Sequence, residues 1–356
     1  MKFRRKKLEK IKAAVVGSTG YAGEELVRIL SNHKNVELKF LTSRSYKGQN
    51  FQDVYSNFNK VLDINLIEDD IETLSKEVDV IFLALPHGIA SSKVTKEILS
   101  NVKIIDLGAD FRLKSKTVYE KWYNVEHLGE SLLDKAVYGL PEIYREEIKK
   151  TNLIANPGCY TTCSILSLYP LFKNNLIETN SVIIDAKSGV TGAGRGVSLG
   201  VHFSETNENI KAYKIASHRH TPEIEQELSN AIKKDVVIQF TPHLIPMNRG
   251  ILTTSYLKLK DGFTFDDVKE AYFNQYKDEK FVRLLKDGIY PETKWVKGSN
   301  YIDVGLFFDR RTGNVIVQGA IDNLIKGASG QAVQNMNLTF GFCEDEGIKT
   351  AGIFPV

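Results

Sequence analysis

The chain of 356 residues holds only three cysteines, at positions 159, 163 and 343, and two tryptophans. Three cysteines without pairing or metal-ligand spacing exclude a disulfide scaffold and a cysteine-bound zinc site. They fit a reducing compartment, and the expectation is a cytoplasmic protein with free thiols. No apolar run reaches the length of a membrane-spanning helix. Charge of one sign is not in excess: 47 Lys and Arg face 44 Asp and Glu, a formal net charge of +3. That balance implies neither a nucleic-acid nor a membrane partner. Repeats and low-complexity linkers are absent. The basic segment Met1–Lys10 lacks the apolar core of a secretory signal and reads as a fraying tail. The length exceeds what one hydrophobic core normally serves, so two domains are expected.

What is present begins with a short apolar strand, Lys12–Val16. It runs into Gly17-Ser18-Thr19-Gly20-Tyr21-Ala22-Gly23 and then a segment of helical periodicity. Glycines at this spacing permit a tight turn and close backbone approach, and the following helix N-terminus faces a pyrophosphate. The next strand, Val36–Thr42, ends in Ser43-Arg44-Ser45 rather than in the acidic residue that usually reads a ribose 2′-hydroxyl. A hydroxyl and a planar guanidinium suit a 2′-phosphate, so the pattern predicts NADP over NAD. Two more near-continuous apolar strands end in Pro86-His87-Gly88 and in Gly108-Ala109-Asp110-Phe111-Arg112. Such runs between helical segments indicate a parallel sheet covered on both faces, with ligands at its carboxyl ends. His87 and Gly88 therefore border the expected cofactor, and Arg112 is a candidate anion ligand.

The most informative single residue is Cys159, in Asn156-Pro157-Gly158-Cys159-Tyr160-Thr161-Thr162. It stands between an apolar run and a helical pattern. At a helix start the dipole favours thiolate over thiol, and an activated thiolate attacks carbonyl carbon. Cys163, on the apolar side of the same helix, reads as structural. Further on, Lys187–Gly196 is rich in glycine and hydroxyls and carries Arg195, which suits an anionic substrate. The run Ser217-His218-Arg219-His220-Thr221-Pro222-Glu223 marks a helix start, with Thr221 as expected N-cap and two histidines in the preceding loop. A histidine there can pair with a thiolate. A His-x-His pair can also bind metal, but no third ligand has helical or hairpin spacing, so no metal is expected. The later strands alternate more and carry Pro and Gly breaks, as in a mixed or largely antiparallel sheet; His243 and Arg249 are second-rank candidates there.

Taken together, these segments resemble the N-acetyl-gamma-glutamyl-phosphate reductases, relatives of the aspartate-semialdehyde dehydrogenases. Leu85–Gly88, Asp106–Arg112, Tyr138–Glu142, Asn156–Thr162, His218–Gln226 and Gly330–Asn337 carry the likeness with the glycine loop. They span residues 12 to 338. The resemblance implies NADPH-dependent reduction of N-acetyl-gamma-glutamyl phosphate to the semialdehyde in arginine biosynthesis. Phosphate leaves as a Cys159 thioester forms, and a histidine supplies the proton for the final collapse. It implies His218 or His220 in that role, with His218 slightly preferred and His220 and Glu223 orienting. It extends the cofactor set to Pro86, Ser188, Gly189 and Asn335, and the substrate set to Arg112, Asn156, Arg195 and Arg249. The implied fold is α/β and glyceraldehyde-3-phosphate dehydrogenase-like. A Rossmann-type NADP-binding domain (1–155 with 328–356) accompanies a catalytic and oligomerisation domain (156–327) with a mixed, largely antiparallel sheet. Expected partners are a small acyl phosphate, inorganic phosphate and further copies of the chain, as homodimer or homotetramer. Two other readings compete: an aminoadipyl-phosphate reductase of a lysine route, and a non-catalytic NADP-sensing regulator.

Overall fold

A computed structural model describes residues 10–355; nearly all of the basic segment Met1–Lys10 lies outside them. The first seven strands are β1 (Ile11–Val16), β2 (Val36–Thr42), β3 (Leu66–Ile67), β4 (Val80–Leu83), β5 (Lys103–Asp106), β6 (Val137–Tyr138) and β7 (Leu153–Ala155). They form one sheet in the order β3-β2-β1-β4-β5-β7-β6, parallel at every pairing. The alternation of side chains along β1 explains its unbroken apolar sequence. Ala13 and Val15 enter one core, beside Leu26 and Val27 of the helix Tyr21–Ser31. Ala14 and Val16 enter the core on the other face, with Ile81, Leu83 and Ile104. Strand order reverses between β1 and β4, so the loops after these two strands diverge and leave a crevice.

The second sheet contains β8 (Val182–Gly189), β9 (Lys211–Ala212), β10 (Ile238–Ile245), β11 (Ile251–Lys258), β12 (Val282–Leu284), β13 (Ile302–Asp309) and β14 (Asn314–Ile321). Its order is β12-β13-β14-β11-β8-β10-β9. The β12–β13 and β8–β10 pairs are parallel and the other four antiparallel, the mixed and largely antiparallel sheet that the strand pattern predicts. One face is covered by the helices Cys159–Lys173, Thr221–Ile232 and Phe265–Tyr276, whose Ile165, Leu168, Ile224, Leu228 and Val268 pack on Val182, Ile184, Ala186 and Val317. The helix that starts at Cys159 is therefore buried almost all round, including Cys163 at 0% exposure. The final helix, Gly330–Thr339, returns to the first sheet and places Ala332, Val333 and Met336 in the core that holds Leu26. Among the described residues no helix is long and apolar enough to cross a membrane.

Candidate active site

The two sheets meet at an open cleft of about 750 Å³. One wall is the start of the nucleotide helix, Gly20–Gly23, with Leu85, Pro86 and His87 after β4; the opposite wall carries Cys159, His218 and His220. Gly17 turns the chain between β1 and the loop with φ +79°, a conformation that side chains oppose. Its N–H donates to Thr42 Oγ1, and Ser18 N–H donates to the Thr42 carbonyl. Gly17 and Ser18 thus build the loop from behind, and Tyr21, Ala22 and Gly23 present the first helical turn to the cleft. No side chain caps that turn. Free N–H groups at a helix N-terminus facing an open cleft fit a dinucleotide pyrophosphate. Thr19 Oγ1 lies 2.8 Å from Ser43 Oγ beside the loop. Arg44 donates to the nearly buried Asp69 at 2.9 Å and is otherwise largely in solvent. Neither Ser43 nor Arg44 lines the cleft itself.

On the opposite wall, Gly158 precedes the cysteine helix without a side-chain cap of its own. Glu223, fully buried, takes that role from a neighbouring helix: its Oε1 accepts from Gly158 N–H at 3.0 Å, Thr161 Oγ1 at 2.9 Å and Tyr138 OH at 2.7 Å. Its Oε2 faces Arg112 at 3.3 Å. Arg112 in turn donates to the carbonyls of Asn156 and Leu107 at 2.8 and 2.7 Å. Asn156 is fixed through Nδ2 to the Ala328 carbonyl and accepts from Asn335. Carboxylate, guanidinium and amides thereby hold the turn that carries the thiol.

The two histidines differ in position. A methyl group built on Gly158 would stand 2.5 Å from His220 Nε2 and 2.8 Å from Arg112 Nη1, so only glycine admits the imidazole so near the cysteine turn. His218 lies one layer back: its Nδ1 accepts from His220 N–H at 3.1 Å, and its Nε2 lies 3.4 Å from Tyr213 OH. Burial, aided by Lys214 and Arg219, lowers His218 to about 3. Burial also holds His220 well below the ordinary imidazole range, with His218 and Arg112 adding to it. Both rings are therefore neutral near pH 7, and His220 Nδ1 has no partner. No hydrogen bond links Glu223 to either ring; the carboxylate serves the cysteine turn.

Burial pushes the Cys159 thiol up to about 11, although the Tyr160 N–H and the Arg112 charge both act to lower it. The dipole expected at the helix start is present, but desolvation and the Glu223 carboxylate outweigh it. The resting pair is thiol and neutral imidazole. Alkylation of Cys159 by iodoacetamide is accordingly expected to accelerate about tenfold per pH unit from pH 7 to 9. A plateau below pH 8 would reveal a preformed thiolate.

The other residues singled out in the sequence fall into three places. His87 lines the cleft against Tyr123, lowered to about 4 by burial and by the Arg219 and Arg112 charges, with Nδ1 unpartnered. Gly88 is outside the lining and donates its N–H to Asp110. Ser188 lines the cleft, and Gly189 beside it packs on the backbone of Asn248 and Arg249. Arg195 reaches the nucleotide loop rather than the cysteine: it donates to the Thr19 carbonyl and Tyr55 OH at 3.0 Å each and lies over the rings of Tyr46 and Tyr55. Asn335 is buried behind Asn156. Arg249 is outside the lining, because Glu25 and Asp322 hold its guanidinium. Thr221 is the first residue of its helix rather than the cap; His220 holds the cap position, and the Thr221 hydroxyl has no partner.

Sequence reasoning missed Lys211, Lys214 and Arg219, cations of the same wall. Arg219 lies between the two histidines in sequence, and its guanidinium covers the Tyr123 ring. The lysines sit on and beside β9, whose two residues give no periodic signal.

Comparison with known proteins matches residues 12–151 to the semialdehyde dehydrogenase NAD binding domain and 159–323 to the semialdehyde dehydrogenase dimerisation domain. The chain is 54% identical over 345 residues to the N-acetyl-gamma-glutamyl-phosphate reductase of Lachnoclostridium phytofermentans, covering 97% of this chain and all of the relative. It is 56% identical over 340 residues to the reductase of that name from Campylobacter jejuni, covering 96% and 98%. In fold it is similar to aspartate semialdehyde dehydrogenase II of Vibrio cholerae, TM-score 0.69 at 17% identity over 94% of this chain and 99% of that one. The Candida albicans aspartate semialdehyde dehydrogenase, solved with NADP, gives 0.67 at 17% identity, covering 93% and 98%. Identity above one half along essentially the full length of both chains makes this protein a member of the N-acetyl-gamma-glutamyl-phosphate reductase family of semialdehyde dehydrogenases.

Proposed function

We propose that the chain reduces N-acetyl-gamma-glutamyl phosphate to N-acetylglutamate 5-semialdehyde with release of phosphate, as a step of arginine biosynthesis. The observation that carries this reading is the juxtaposition of Cys159, at a glycine-admitted imidazole, with an uncapped nucleotide-helix terminus across one cleft. Gly20–Gly23 would hold the NADPH pyrophosphate, with Ser43 and Arg44 at the edge of the nucleotide loop as candidates for its 2′-phosphate, and the cofactor would supply the hydride.

In the first half-reaction His220 takes the Cys159 proton as Sγ bonds to the acyl carbon. Coupling the two events suits a thiol near 11 and a neutral imidazole, since neither a free thiolate nor a buried imidazolium need accumulate first. Backbone N–H groups at the helix start that follows Gly158 would stabilise the developing oxyanion. The C–O bond to phosphate then breaks as the proton held by His220 passes to the leaving oxygen, so that hydrogen phosphate departs as a dianion and a thioester remains; the Arg219, Lys214 and Arg112 charges favour that dianion and the substrate carboxylate. In the second half-reaction the reduced carbon expels the thiolate as its C–S bond breaks, and His220, neutral after phosphate release, relays a proton from solvent to sulfur. His218 orients His220 through the backbone, and Glu223 keeps the turn in place.

We also propose that residues 1–155 with 328–356 act as the NADP-binding unit and 156–327 as the catalytic and oligomerisation unit. In support, the last helix packs in the nucleotide core. Copies of the chain would meet on the sheet face turned away from the cysteine helix, where Ile183 and Tyr256 pair across β8 and β11, each 38% exposed, giving a homodimer or a homotetramer.

The test is the reverse reaction. Purified protein is expected to oxidise N-acetylglutamate semialdehyde only with inorganic phosphate and NADP present. Equal or faster turnover of aminoadipate semialdehyde would redirect the assignment to the longer acyl chain.

A further inference from the structure

Arg249 occupies the turn between β10 and β11, away from the cleft lining, yet three cleft-lining segments converge on it. Its Nη2 donates to Glu25 Oε2 at 2.6 Å, and its Nη1 lies 3.6 Å from Asp322 Oδ2. Both carboxylates are completely buried, and Arg249 itself is mostly so. Glu25 belongs to the nucleotide helix, directly after the Tyr21–Gly23 turn. Asp322 closes the turn after β14, accepting from Leu324 N–H at 2.8 Å and Ile325 N–H at 3.2 Å. That turn leads to Gly327, where an added methyl group would stand 2.8 Å from Cys159 Cβ. The third segment is tied by backbone: Gly189 N–H donates to the Gly250 carbonyl and Val190 N–H to the Met247 carbonyl, each at 2.9 Å. Asn323 completes the node, accepting from Gly250 N–H and donating to Thr191 Oγ1.

One guanidinium thus spans the helix that faces the nucleotide and the turn that backs the cysteine. Glu25 also accepts from Arg28 of its own helix through Oε1, so the bond from its Oε2 to Arg249 is the one that leaves the helix, and two buried carboxylates that share this cation are held in a fixed relation. These contacts form a continuous path by which a shift of the nucleotide helix would reach Arg249 through Glu25, and from there Asp322 and the Gly189 backbone.

We propose that Arg249 is a positioning residue that couples occupation of the nucleotide cleft to the placement of the wall behind Cys159, so that NADP(H) and the anionic acyl substrate bind cooperatively. This rests on the functional reading above, and its test uses binding rather than turnover. NADPH is titrated by fluorescence, with and without saturating inorganic phosphate. In the wild type, phosphate is expected to shift the NADPH Kd at least about fivefold, the lower end of the usual range of coupling between sites. Arg249→Met is expected to weaken NADPH about tenfold and to lose the phosphate shift. Arg249→Lys restores part of both, and Glu25→Gln weakens NADPH with no further loss when combined with Arg249→Met. An Arg249→Met protein that keeps the phosphate shift overturns the proposal, as does a wild type without one. If Arg249→Met fails to fold, by circular dichroism, Arg249→Lys and Glu25→Gln decide: an undiminished shift in both overturns it. A wild type that does not bind NADPH at all refutes the functional reading instead.

Discussion

Cys159→Ser is expected to lower reductase turnover by at least about a thousandfold while NADPH still binds with its normal Kd. A serine hydroxyl at this position is a far weaker nucleophile than the thiol it replaces. The environment that already holds the thiol protonated, burial with the Glu223 carboxylate nearby, disfavours an alkoxide more strongly still. Oxygen is close to sulfur in size and the site is partly open to the cleft, so the turn, the Glu223 cap and the nucleotide loop stand unaltered. Loss of turnover with retained binding therefore isolates the nucleophile. Turnover within tenfold of the wild type would mean that hydride reaches a substrate never attached to the chain.

His220→Asn is expected to cost about 10²–10⁴-fold in kcat, the usual span for a lost proton-transfer group, and His218→Asn about tenfold. The asymmetry follows from geometry. The His220 ring reaches the cysteine turn, where Gly158 leaves room for it, whereas the His218 ring faces Tyr213 and acts through the His220 backbone. The pH profile separates the roles further. Because His220 is held well below the ordinary imidazole range, wild-type kcat/KM is expected to show no histidine limb between pH 6 and 8. His218→Asn keeps that flat profile, since the proton-transfer group is still present and neutral. The reverse order of effects would hand the proton to His218, the residue the sequence alone slightly favoured.

The difference between those two readings shows how far sequence reaches in this chain. In an extended segment alternate residues share a face, so His218-Arg219-His220 offered two equivalent rings. Only the folded packing of Gly158 against one of them distinguishes the pair. The parallel sheet and its crevice were legible because they depend on local signals: unbroken apolar strands, glycine punctuation and a helix after the first turn. The mixed sheet was legible from its alternation and its Pro and Gly breaks.

Charge partners were not legible. Arg112, Arg195 and Arg249 look alike as letters. Yet one is buried against Glu223, one stacks on Tyr46 and Tyr55, and one is bound by Glu25 and Asp322. Their partners lie as far as 224 residues away in sequence, and no spacing rule reports such pairings. The protonated state of Cys159 is hidden from sequence for a related reason. A helix start is visible in sequence, but the burial that outweighs it belongs to the assembled core.

The central claim is that Cys159 carries the acyl group between phosphate and hydride. Intact-protein mass spectrometry after mixing the protein with N-acetyl-gamma-glutamyl phosphate, NADPH withheld, tests it most directly. The account predicts one N-acetylglutamyl adduct per chain, mapped by digestion to Cys159, discharged by hydroxylamine, and lost as semialdehyde when NADPH is added. An unmodified chain that still forms semialdehyde once NADPH is supplied, or an adduct mapped to Cys163 or Cys343, would contradict it.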